Sequence, residues 1–154
     1  MRLADRGDVR RAQCWGVAYD EPSPPLQGIH HVRIPVSDII VSRDWYTEVL
    51  GFEPVLDYEE EDRIVGVALA GEGGVTVGLH LDPARARSVA GFCILALQVP
   101  GQTALGTWVE HLDTAGIHHS GVREGHLGLL VELADPDGIV VQLHTAEHPS
   151  ADEA

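Results

Sequence analysis

One pattern of elements is written twice in this chain, and that duplication constrains the fold more than any other feature. In GIHHVRIPV, residues 28–36, Val32, Ile34 and Val36 fall on one face, as in a half-buried strand. Ser37 and Asp38 then offer a helix N-cap, and Ile40, Val41, Trp45 and Val49 follow at helical spacing before a stop at Gly51. Strands are expected at about Glu53–Tyr58, Arg63–Ala70 and Val75–Leu81, with Gly71, Gly73 and Gly74 forming a hairpin turn. The segment DPARARSVAG reads as a linker, and the series restarts. GFCILALQV, residues 91–99, puts Cys93, Leu95, Leu97 and Val99 on one face. Thr103–Ala115 is helical through Leu105, Trp108, Val109 and Leu112, ending at Gly116. Strands follow near Ile117–Arg123, Leu127–Leu133 and Ile139–His144, the last two joined by DPDG, which suits a type I turn.

Gly28 matches Gly91, Leu50-Gly51-Phe52 matches Ala115-Gly116-Ile117, and Leu79-His80 matches Leu143-His144, so the offset is 63 to 65 residues. Self-similarity at a fixed offset is the mark of a duplicated supersecondary unit. The predicted fold is α+β, two βαβββ modules. A sheet covered by a helix on one side leaves its other face open, and pairing two such units would curl the sheets around a shared cleft suited to a ligand.

The flanks differ in character. In residues 1–27 charges of both signs break every apolar pattern; the segment is closed by Pro22, Pro24 and Pro25 and reads as a flexible extension on which Trp15 and Tyr19 could dock, while residues 146–154 form a short acidic tail. The N-terminus lacks the apolar segment of a secretory signal, and no apolar run approaches the roughly 18 residues of a spanning helix, so a cytoplasmic location off the membrane is expected. Cys14 and Cys93 have no redox or metal spacing, and Cys93 reads as a small core hydrophobe. A net charge of −14, with every basic residue an arginine, argues against nucleic acid as partner.

The stretches HHVRIPVSDIIVSRDWYTEVLGF and GHLGLLVELADPDGIVVQLH resemble the vicinal oxygen chelate superfamily, which includes glyoxalase I, extradiol dioxygenases, fosfomycin-resistance transferases and bleomycin-binding proteins. The resemblance spans residues 28–145 as one domain, with module one at 28–82 and module two at 91–145. It implies an incomplete barrel around the cleft, a homodimer that builds each cleft from two chains, and a small-molecule substrate or ligand. It also implies metal slots, which fall on His31, Gly78, Ile94 and Gln142, or on His31, Ile94 and Gln142 in the fosfomycin-resistance arrangement. Only His31 is a strong donor, with Gln142 a weak neutral one, whereas a catalytic divalent ion such as zinc, iron, nickel or manganese takes about three protein ligands.

His80 and His144 each stand two residues beyond a slot, hence on the same strand face, and with His31 form an alternative ligand set; strand-end histidines are the competing reading. Glu132 interrupts the apolar run LLVEL and should face the cleft, placed for general-base work or for a cationic ligand. Arg33 shares the face of His31 and suits an anionic group. His126, in EGHLG, lies where a loop could close over the cleft, and Ile94 would line it. Two functions follow from these residues and the resemblance: a glyoxalase-like lyase, isomerase or dioxygenase on a small oxygenated metabolite, or a metal-free, drug-sequestering binding protein whose acidic cleft takes a cation.

Overall fold

The computed structural model describes residues 22–145. The remainder of the expected extension, with Cys14, Trp15 and Tyr19, and the expected acidic tail lie outside the described residues; residues 22–31 have no regular secondary structure. The duplicated order is present. The first module runs β1 (Val32–Val36), α1 (Ile39–Leu50), β2 (Glu53–Glu60), β3 (Arg63–Ala70) and β4 (Thr76–Leu81). After α2 (Pro83–Val89) the second runs β5 (Cys93–Val99), α3 (Gln102–Thr114), β6 (Arg123–Gly125), β7 (Gly128–Ala134) and β8 (Val140–Thr145). The strand orders are β1-β4-β3-β2 and β5-β8-β7-β6, with the first strand of each sheet parallel to its last. A parallel neighbour requires a crossover, and α1 and α3 supply it. Both sheets stay open, and no strand of one pairs with a strand of the other among the described residues.

Local chemistry explains the boundaries. Asp38 caps α1 by accepting from the backbone N–H groups of Ile40 and Val41, each at 3.0 Å. Gly51 ends the helix in the left-handed region at φ 75°, where a side chain would be strained. Buried residues alternate with open-face residues along the central strands: Val67, Leu69, Val77 and Leu79 join Ile34, Val36, Tyr46 and Val49 of β1 and α1 in one core, which continues into Leu95, Leu105, Leu112, Val131, Val141 and Leu143 of the second module.

Three expectations change. DPARARSVAG is not an open linker: Asp82 caps a helical turn through the N–H of Arg85, Pro83 occupies its start, and Ala86 is buried. The strand expected at Ile117–Arg123 shrinks to Arg123–Gly125, preceded by a single bridge from His119 to Leu133; Ser120, whose hydroxyl accepts from Glu132 N, and Gly121 at φ 70° break the extended run. Cys93 leaves the face of Leu95, because a bulge at Ile94 pairs Cys93 with Val140 but Leu95 with Val141. An extra residue in one strand reverses the facing of everything before it. Cys93 is therefore half-buried on the face of Val140 and Gln142, with its thiol donating to Leu95 O and its pKa pushed up by burial.

The modules meet through helices and turns. The hydroxyl of Tyr46, in α1, donates to Oδ2 of buried Asp135 in the β7–β8 turn at 3.1 Å. Ser37 N donates to Asp137 Oδ2, and His111 Nε2 of α3 donates to Val49 O, both at 2.9 Å.

Candidate functional site

The open face of the first sheet, turned away from α1, holds a cavity of about 520 Å³. Its lining follows from the pairing register. One row crosses the sheet as Arg33, Gly78, Ala68 and Leu56; the next crosses as Pro35, His80, Gly66 and Tyr58. The centre of this face is thus almost bare backbone, and the long side chains stand at its borders. His31 and Arg33 rise at the β1 side, His80 stands within the second row on β4, and Tyr58 and Glu60 close the β2 side. The His31 ring stands beside Gly78, with Cδ2 3.8 Å from where a Cβ would lie. His30 is exposed and lies against His31 with their Nδ1 atoms 2.9 Å apart, and it also lines the cavity. No carboxylate is in ion-pairing range of Arg33 among the described residues. One acid, Glu60, lines this wall beside Arg33 and three histidines, so the acidic cleft expected from the overall charge is not what it presents.

The second sheet carries a different arrangement. Leu130 and Glu132 pair with His144 and Gln142, so all four face the same way, and Arg123 shares that face by pairing with Leu130. Arg123 Nη2 is ion-paired with Glu132 Oε2. Gln142 Nε2 donates to Glu132 Oε1 at 2.8 Å, and Gln142 Oε1 lies 2.9 Å from His144 Nε2. Since that amide oxygen can only accept, His144 Nε2 donates to it, and the buried Nδ1 of His144 has no partner among the described residues. Glu132 faces out of the core, between buried Val131 and Leu133, with both carboxylate oxygens engaged.

The expected site residues therefore divide. His31, Gly78, His80 and Arg33 come together on the first sheet, while Gln142, Glu132 and His144 come together on the second and line no part of the 520 Å³ cavity. The expected convergence of His31, His80 and His144 does not form within the chain, because β4 and β8 belong to separate sheets. Ile94 packs against the core from the β5 bulge rather than lining the cavity, and His126 is an exposed residue of the β6–β7 turn, also outside it. No group of three or more His, Cys, Asp or Glu among the described residues is placed to hold a metal ion. Tyr58, Glu60, Arg123 and the glycine floor went unread in the sequence. The alternation of Leu56 and Tyr58 in β2 was a usable signal for the first two; Arg123 depended on a hairpin register that the sequence misplaced.

No curated protein sequence matches the chain. Among solved structures, TnmS3, an antibiotic binding protein from Streptomyces sp. CB03234, is 21% identical with a TM-score of 0.66 over 81% of this chain and 100% of its own. Lactoylglutathione lyase from Agrobacterium tumefaciens is 18% identical, TM-score 0.63, over 79% and 95%. The fosfomycin resistance protein FosX from Listeria monocytogenes is 13% identical, TM-score 0.64, over 80% and 96%. At such identities these likenesses speak to fold alone. A family model matches residues 28–143, nearly all of both modules, and the chain belongs to the Glyoxalase/Bleomycin resistance protein/Dioxygenase superfamily.

Proposed function

We propose that this protein binds a small molecule without a metal ion, in a cleft whose second wall comes from another copy of the chain. The observation that carries the reading is the fate of the four metal slots. Gly78 has no donor, Ile94 packs on the core, and the amide of Gln142 is taken at both ends by Glu132 and His144. His31 is left as the one donor with a free ring edge, and a divalent ion needs about three. The donor set does not fit the metal that the superfamily resemblance implied.

The second copy is inferred from the geometry of the cavity, which has a wall on one side only. Along β2 every residue is exposed, Val55, Leu56 and Tyr58 included, an arrangement that calls for cover. The Arg123–Glu132–Gln142–His144 face is a polar surface that lines no part of the cavity within the chain. The antibiotic-binding relative of similar fold is consistent with a sequestering role. An enzyme reading rests on that same polar chain, which holds His144 through its Nε2, and it would be a metal-free one.

Two measurements on the full chain test the proposal together. Protein purified without chelator and incubated with zinc, iron, nickel or manganese should retain less than about 0.1 ion per chain, where a competent ligand set would hold close to one. A thermal-shift screen of small aromatic and polar compounds should find ligands that raise the melting temperature, as binding to the native state requires. Stoichiometric metal, or a screen in which nothing stabilises the protein, would overturn it.

A further inference from the structure

Gly78 occupies the middle of β4 for no reason internal to the fold. Its φ is ordinary, so the backbone does not require glycine, and an added Cβ would meet nothing closer than 3.8 Å. Gly66 makes the contrast: a Cβ there would press on Leu79 O at 3.2 Å and on the Tyr58 ring at 3.4 Å, so packing accounts for it. Glycine within a strand destabilises it relative to alanine. Where neither the local backbone nor packing within the chain needs it, glycine in a strand often marks the close approach of a ligand or of another backbone, and the open cavity beside Gly78 favours a ligand.

The surroundings give the shape and charge of that ligand. Gly78 and Ala68 are cross-strand partners, so hydrogen and methyl lie side by side as a flat floor. On the β1 side the row begins with Arg33, which has no ion-pair partner among the described residues; on the β2 side it ends with half-exposed Leu56, next to Tyr58. The floor is therefore cationic at one end and apolar and aromatic at the other. Resting on the binding reading above, we propose that the ligand is a planar aromatic or conjugated anion, lying flat on Gly78 and Ala68 with its acidic group against Arg33 and its ring edge toward Leu56 and Tyr58. Planarity follows from the bare floor, since a bulky or puckered molecule would gain nothing from a missing side chain. The acidic group follows from the unpaired guanidinium, which binds carboxylate in bidentate fashion.

The test uses the full-length protein and three probes in isothermal titration: 2-naphthoate, planar and anionic; adamantane-1-carboxylate, of the same charge but globular; and proflavine, planar and cationic. The expected order places 2-naphthoate first. Gly78→Ala and Gly78→Val should weaken it progressively, Gly78→Val by about tenfold or more, without lowering the melting temperature. Arg33→Gln should weaken 2-naphthoate while leaving neutral naphthalene-2-carboxamide unchanged. Tightest binding of either other probe, or Gly78→Val that shifts the oligomeric state but not probe affinity, would overturn the inference and leave the binding reading standing. If no probe and no compound of the screen binds, both fall.

Discussion

The hydrogen bond between Tyr46 and Asp135 ties the modules together across 89 residues of sequence, and its removal has a calculable cost. Asp135 is 5% exposed; its Oδ1 accepts from the N–H groups of Asp137 and Ile139, both at 2.9 Å, while Oδ2 accepts from the Tyr46 hydroxyl. Tyr46→Phe leaves the ring in place and deprives Oδ2 of its donor. A hydrogen bond to a charged group contributes about 1.5–3 kcal/mol. A loss of about 2 kcal/mol is expected here, because two backbone donors stay on the carboxylate; that corresponds to about 7 °C in melting temperature for a domain of this size.

The loss should depend on pH. Burial raises the pKa of Asp135 above its ordinary value, and the Tyr46 bond opposes that rise by favouring the ionised form. With a raised folded-state pKa, the folded chain holds the proton to higher pH than the unfolded chain. The associated stability is full below the unfolded value and is lost as pH rises through the folded one. Tyr46→Phe pushes the folded value further up, so its penalty is largest where Asp135 is ionised and falls to about 1 kcal/mol, an ordinary neutral bond, where it is protonated. Urea unfolding of both proteins at pH 8 and pH 4 measures this. A penalty below about 0.5 kcal/mol at pH 8, or one that grows on acidification, would refute the assignment of Asp135 as a buried carboxylate held by the phenol.

Two further outcomes are expected. Asp38→Ala removes the cap from two N–H groups of α1 and should cost about 1 kcal/mol by chemical denaturation; no loss would mean that water satisfies that helix end as well. Leu56→Asp places a charge where the second copy should cover β2 and should weaken self-association by about tenfold or more in sedimentation equilibrium, whereas an unchanged association constant would move the interface elsewhere.

The sequence alone determined the duplicated βαβββ order, a cap for α1 at Ser37 or Asp38, and the turn at Asp135–Gly138. These are short-range properties, set by side-chain alternation, cap chemistry and turn residues within a few positions of one another. The facing of Cys93 was not legible, because one bulge residue at Ile94 reverses it and no local pattern announces a bulge. The short β6 was misplaced because its extent depends on pairing with β7, not on its own propensity. The candidate site was legible only by halves. Sequence spacing placed His31 with Arg33, and Gln142 with His144, because two-residue alternation fixes a strand face. Only the tertiary structure decided that these faces belong to separate sheets, that Gln142 is held by Glu132 and His144, and that Gly78 joins Ala68 in a bare floor. Those facts depend on cross-strand register and on the packing of α1 against the second module, and both are set by contacts among residues far apart in the chain.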